Sequence, residues 1–279
     1  MRFGLDVPTT GEYADARALA RLAAEAEGAG WDGFFVWDVL RGGQAEPQPA
    51  LDPWIALTAI ALATERMRLG TLVTPLARHR PWLVARRLAN LDQLSAGRMI
   101  CTVGLGHLPD DFAAFGEDVE PAVRAEKLDE GLAILSGLWG DEPFSFAGRN
   151  YSLRDARLLP RPVQAPRIPI WVAAGWPHHA PLRRAARWDG LCLKSRRADT
   201  RRPLSPADLS ECLAYTLAQR TASDPFAVVV SGETEHDPLA AGDAVRPFAE
   251  AGATWWLEEG LGWSYDELRA RILAGPPRV

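Results

Sequence analysis

Asp38, His79 and His107 are the residues best placed to move protons. Each follows an apolar run short enough for a buried strand, and side chains at the carboxyl ends of barrel strands face the mouth. There Asp38 is an acid, a base or a ligand anchor, or else a turn or capping aspartate. His79 and His107 are candidate proton donors, or simply solvated. Glu258 and Glu259 end another run and carry the same ambiguity.

Small residues point to a second kind of chemistry. Gly104-Leu105-Gly106 follows a strand, so backbone can approach a flat or charged ligand closely; the plain alternative is a tight turn. A dinucleotide fingerprint is rejected, because position 109 is proline where a third glycine is needed. The next strand, whose end would carry the ribose-binding acid, is also displaced by a long insertion. Ala173 to Ala180 lies between a buried strand and an arginine-rich helix. Free amides at that helix start would suit a phosphate, with Gly175 allowing close approach and His178, His179, Arg183 and Arg184 adding charge; the alternative is a solvated surface loop. Trp37 and Trp176 sit at strand ends where a ring could line a ligand pocket. Adjacent histidines do not share a helical face, so no metal pair is expected there. Cys101, Cys192 and Cys212 are odd in number and widely spaced, which argues against disulfides and zinc and for buried small hydrophobes.

The elements that must position these residues alternate along the chain. Strands are expected at Arg2 to Val7, Gly33 to Leu40, Met67 to Val73, Met99 to Val103, Ile168 to Gly175, Asp189 to Ser195, Phe226 to Ser231 and Thr254 to Leu257. Helices are expected from Ala14 to Gly28, after the Asp52-Pro53 cap to Thr64, and through Leu83, Leu88, Leu91 and Leu94. Others start at Pro121 and Ala180 or span Ser205 to Arg220, Gly242 to Glu250 and Tyr265 to Leu273. Eight strands alternating with eight helices predict a (β/α)8 barrel over residues 1–279, with an open doubly wound sheet as the competing arrangement. Residues 141–167 read as an insertion within it, between strands four and five: a hairpin around Gly148 and then a proline-rich stretch.

Bulk properties narrow the class further. A net charge of −5 argues against a nucleic-acid binder. The start MRFGLDVPTT has no apolar signal core, and the apolar stretch Trp54 to Ala63 is too short to span a bilayer, so a soluble cytoplasmic protein is expected. Arginine is abundant and only two lysines occur.

Taken together, RLGTLVTPLARHRPWLVARRLANLDQLSAGRM, VGLG with DFAAFG behind it, EKLDEGLAILSGLW, and IPIWVAAG ahead of RAARWDG resemble the bacterial luciferase-like flavin- and deazaflavin-dependent oxidoreductases. The resemblance implies a (β/α)8 barrel, usually dimeric, that holds FMN, or alternatively coenzyme F420, at the carboxyl ends of the strands. It places Val73 and Thr74 behind the flavin ring, Gly104 and Gly106 beside it, and Ala174, Gly175, Trp176 and Pro177 at the phosphate. Asp38 matches a position near the reactive edge.

There are departures from the family pattern. Val39 stands where many members have histidine, His107 where the deazaflavin sugar dehydrogenases have an acid, and Leu105 where luciferase has an arginine near the phosphate. The phosphate would then be met by the strand-five loop alone; the chain is also short after strand seven, where many members carry a long lid, so closure over substrate is expected to be weaker or to come from Arg41 to Ala50. The first expectation is an FMN monooxygenase acting on a small organic substrate with a separate flavin reductase, and with Asp38 and His79 handling protons. The second is F420-dependent hydride transfer, with Arg78, Arg80 and the Arg183-Arg184 pair near the cofactor tail. The third is a flavin-binding barrel without turnover. A homodimer is expected, without nucleic-acid or membrane partners.

Overall fold

The structure is a computed structural model that describes residues 1–40, 48–106, 110–196 and 198–279. In chain order the elements are β1 (Arg2–Val7), α1 (Ala16–Ala29), β2 (Gly33–Val36), α2 (Pro53–Ala63), β3 (Arg68–Thr71), β4 (Thr74–Pro75), α3 (Pro81–Leu94) and β5 (Met99–Gly104). There follow α4 (Asp110–Ala113), α5 (Pro121–Leu138), β6 (Phe144–Ala147), β7 (Ser152–Ala156), β8 (Ile170–Ala174), α6 (His179–Ala185) and β9 (Gly190–Leu193). The last are α7 (Pro206–Ala218), β10 (Ala227–Gly232), α8 (Pro238–Glu250), β11 (Trp255–Glu259) and α9 (Tyr265–Leu273).

Eight of the strands, β1, β2, β3, β5, β8, β9, β10 and β11, pair in parallel around a closed ring, sealed where β1 lies on β11. This is the expected (β/α)8 barrel. The short β4 adds to β5, and β6 and β7 form the separate antiparallel hairpin expected around Gly148.

Period-two alternation sorts the side chains. Phe35, Ile100, Trp171, Cys192, Val229, Trp255 and Leu257 fill the barrel interior, where Phe35, Trp171 and Trp255 pack ring on ring at 5.4–6.0 Å. Room for these rings comes from a glycine on the same strand as Phe35: a side chain at Gly33 would meet Phe35 at 2.8 Å and Trp255 at 3.0 Å. Outward residues such as Leu5, Phe34, Leu69 and Val172 pack under the helices in the larger core.

Several boundaries differ from the sequence pattern. The second strand stops at Val36, so Asp38 stands two residues beyond it in the loop. Helix α8 begins at Pro238 rather than Gly242, because Asp237 caps it, accepting from the Ala240 amide at 2.9 Å. Arg41 to Pro47, the greater part of the expected closing segment, lie outside the described residues. Among the described residues no helix is long and apolar enough to cross a membrane.

All three cysteines are free and buried. Burial pushes the Cys101 and Cys212 thiols up to about 12 and Cys192 higher still. Thiolate is the reactive form, so at pH 8 a thiol reagent such as Ellman's is expected to titrate none of them in the folded chain and all three after denaturation. Fast labelling of any one without unfolding would contradict this packing.

Candidate functional site

The mouth at the carboxyl ends of the strands is ringed by inward positions that stay half-exposed although they belong to the barrel: Trp37, Leu72, Val73, Ala173 and Glu259. Asp38 and His79 meet there. Asp38 is buried, and its Oδ2 lies 2.8 Å from His79 Nε2. Its Oδ1 takes a charge-assisted bond from Arg78, which also bonds the Asp38 carbonyl at 3.0 Å and Asp111 Oδ2 at 3.1 Å. Asp111 in turn accepts the Leu40 amide at 3.0 Å. One guanidinium therefore ties together the loops after β2, β3 and β5. The edge of Trp54 packs on the His79 ring, with centroids 6.4 Å apart.

Behind this network, Thr74 is buried and shares a 2.7 Å bond between its Oγ1 and that of Thr71; the Leu72–Val73 peptide beside it is cis. Gly104 and Gly106 are required by packing within the protein. A side chain at Gly104 would meet Val73 at 2.9 Å and Ala173 at 3.3 Å, and one at Gly106, where φ is +74°, would meet Phe112 at 2.8 Å. His107, the third proton candidate, lies outside the described residues.

The loop after β8 departs from expectation in three ways. Ala174 packs outward into the helix layer and its carbonyl accepts the Lys194 amide at 3.1 Å; alternation makes Ala173 the inward residue. The His178 amide is not free, because it bonds Gly175 O at 3.0 Å. The Arg183-Arg184 pair is engaged elsewhere: Arg184 grips Asp129 with two bonds of 2.8 and 2.9 Å, and Arg183 bonds the Tyr215 hydroxyl at 3.0 Å. Arg78 is likewise used within the protein, and Arg80 lies over Trp82. His178 is exposed, His179 stacks on Tyr215 at 4.1 Å, and the Trp176–Pro177 peptide is cis.

What the loop does offer is an indole and an ammonium. Trp176 is buried, and its Nε1 has no hydrogen-bond partner among the described residues. The exposed Lys194 lies beside Gly175, its Cδ 3.9 Å from where a side chain there would begin. An orphaned N–H donor, a cation and the half-exposed Val73 and Ala173 wall fit a flat cofactor with an anionic tail. Lys194 was legible only as one of two lysines in the chain, at the end of the sixth strand. Among the described residues no cluster suits a metal ion.

On the far side of the mouth Trp37 donates from Nε1 to Asp6 Oδ1 at 2.7 Å. Burial and the neighbouring Glu259 hold the Asp6 carboxyl well above the usual range, and burial raises Glu259 as well. Glu258, one residue earlier, faces the opposite way. It is fully buried against Arg271, 3.2 Å from its guanidinium, so it belongs to the barrel wall and not to the mouth.

Comparison with known proteins agrees with this architecture. The sequence profile of the luciferase-like monooxygenases matches residues 1–202. An F420-dependent glucose-6-phosphate dehydrogenase of Kineococcus radiotolerans is 34% identical over 160 residues, 57% of this chain and 47% of that one. The chain thus spans about half the length of the curated relatives it matches. Two solved structures share the fold: an F420-dependent secondary alcohol dehydrogenase in complex with an F420-acetone adduct (TM-score 0.79, 18% identity, 98% of this chain and 97% of that one) and a monooxygenase from Streptomyces bottropensis (0.74, 22%, 98% of each). With the barrel, the ordered strand-end residues and the profile in agreement, the chain belongs to the luciferase-like monooxygenase family.

Proposed function

We propose that this chain is an oxidoreductase that transfers hydride between coenzyme F420 and a small organic substrate, with Asp38 and His79 handling the accompanying proton. The observation that carries the reading is the 2.8 Å contact between His79 and Asp38 at the mouth. The likeness to F420-dependent dehydrogenases supports the deazaflavin over FMN. Val39 leaves the usual histidine position empty of a titratable group, and His79 supplies an imidazole to the same aspartate from the next loop.

The deazaflavin, when bound, supplies the hydride chemistry. Val73 and Ala173 would face its ring, and Trp176 Nε1, Gly175 and Lys194 its anionic part. The chain's own groups do the rest. Arg78 fixes the Asp38 carboxylate, and that carboxylate accepts the hydrogen on His79 Nε2, leaving the Nδ1 lone pair to take a proton from a substrate hydroxyl. In the reverse direction the imidazolium returns it. The apolar wall of Leu72, Val73 and Ala173 keeps water from the reacting centre.

The test is a fluorescence titration of cofactor-free protein with F420 and with FMN, each oxidised and reduced. Preference for F420 supports the proposal. Preference for reduced FMN favours a monooxygenase fed by a separate reductase, the reading to which Val39 and His107 lend weight. Tight binding of either without turnover would make the chain a carrier barrel.

We also propose a homodimer built on α2. This helix is apolar on every side, and its outer face carries Ile55, Thr58 and Leu62 without a charge, Leu62 being 71% exposed. Leu62→Glu is expected to convert a dimer to monomers by light scattering after gel filtration. An unchanged mass would place any interface elsewhere.

A further inference from the structure

The clamp beside His79 holds more negative than positive charge. Asp38 from the loop after β2, Arg78 from the loop after β3 and Asp111 from α4 are buried together, each side chain only 3–5% exposed. The guanidinium lies between the two carboxylates. One of its terminal nitrogens bonds Asp38, and the other bonds Asp111 Oδ2 at 3.1 Å. Of the two acids Asp38 is the one in contact with His79, its Oδ2 2.8 Å from Nε2. Two carboxylates and one guanidinium leave the unit with a net charge of −1.

That balance bears on proton transfer. An imidazole that accepts a proton becomes a cation, and a buried carboxylate stabilises it only as far as its own charge is not already cancelled. Asp38 paired with Arg78 alone would be a neutral unit with little left to offer His79. Asp111 draws on the same guanidinium, so one negative charge survives, and an imidazolium brings the whole cluster to neutrality. The other charged groups near the ring, among the described residues, are engaged elsewhere. Arg80 is turned onto Trp82, Arg87 of α3 lies over the Trp54 ring, and Asp52 accepts the first amides of α2.

We propose that Asp111 is a positioning residue that acts through Arg78 to keep the Asp38 carboxylate aimed and effectively charged, and so sets how readily His79 takes a proton. Its use in hydride transfer rests on the oxidoreductase reading. The charge coupling does not, and it is measured without cofactor. Asp111→Asn isolates the charge, because Oδ2 accepts both the Arg78 bond and the Leu40 amide, and an amide oxygen in its place can keep both. Removing that negative charge makes the imidazolium less favourable, so His79 should hold its proton only at lower pH.

The histidines of the cofactor-free full chain are titrated by proton NMR, with His79→Gln assigning the His79 signal and His178, His179 and His236 as unmoved references. In Asp111→Asn the His79 midpoint is expected about one pH unit below that of the parent. Arg78→Met combined with Asp111→Asn removes both charges and leaves Asp38 uncancelled, so its midpoint should lie at or above that of the parent. This double variant strands no guanidinium, and it decides the matter even if the single variant does not fold. In single-turnover reactions with F420, alcohol oxidation by Asp111→Asn should slow about threefold at its plateau while carbonyl reduction quickens by about as much, because a weaker base leaves a stronger conjugate acid. Damage to the fold would slow both. An unmoved midpoint in folded Asp111→Asn, a double variant that titrates below the parent, or equal losses in the two directions would overturn the proposal. If the midpoints move as expected while the parent turns over no alcohol or carbonyl with F420, the oxidoreductase reading fails and the charge coupling stands.

Discussion

Asp38→Asn is expected to slow hydride transfer roughly 10²- to 10⁴-fold and also to destabilise the chain by about 3 kcal/mol. Both effects arise because one carboxylate serves two partners. Its Oδ2 orients the His79 imidazole, so the amide would favour the wrong tautomer; its Oδ1 neutralises Arg78, whose side chain is only 5% exposed. Asp111 alone would then face that guanidinium across three loops. His79→Gln separates the two roles. It leaves the Arg78 pair intact, so the rate should fall while the denaturation midpoint holds. Stopped-flow bleaching or recovery of the deazaflavin absorbance and urea melts of both variants provide the check. A full rate in His79→Gln would remove the imidazole from the mechanism.

The largest stability effect is expected on the opposite side of the wall. Glu258 and Arg271 are both completely buried, and each is bonded beyond the pair. Glu258 accepts the Thr234 hydroxyl at 2.7 Å, and Arg271 donates to Gly275 O at 2.7 Å and to Thr234 Oγ1 at 3.0 Å while lying 5.0 Å from the Trp31 ring centroid. Removing one charge strands the other in a low-dielectric layer, which costs about 3–5 kcal/mol. Arg271→Ala should lower the melting temperature by roughly 10 °C. Replacing both, as in Glu258→Leu with Arg271→Met, should recover most of that loss, because no unpaired charge remains. A single variant that melts like the parent would mean that water reaches this pair.

The alternation of strands and helices was legible because buried parallel strands are short continuous apolar runs separated by amphipathic helices, and Asp52-Pro53 marked a helix start that the structure keeps, with Asp52 accepting the Trp54 amide at 2.8 Å. The equivalent signal at Asp237-Pro238 was masked by Gly242 and Pro247 within the helix. The second strand was over-extended because Trp37 and Val39 are as apolar as the strand itself, although the chain leaves the sheet after Val36.

The site was harder to read. Asp38 and His79 stood out by type and place, but the Arg78 clamp joins residues 33 and 40 apart along the chain, and nothing local encodes it. Of the adjacent Glu258 and Glu259, parity alone sends one into the wall and the other into the mouth, and parity requires the register. Asp6, at the end of the first strand, carries no motif at all.

The seal between β1 and β11 bears on how the chain is made. Arg2 is register partner to Trp255, so β1 gains its neighbour on that side only after β11, at the other end of the barrel sequence, has been made. Until then a half-formed sheet presents an unpaired edge, the kind of surface that invites pairing with another chain. Long-range closure of this sort is slow. Overproduction is therefore expected to be limited by how well nascent chains are shielded, more than by the stability of the finished barrel.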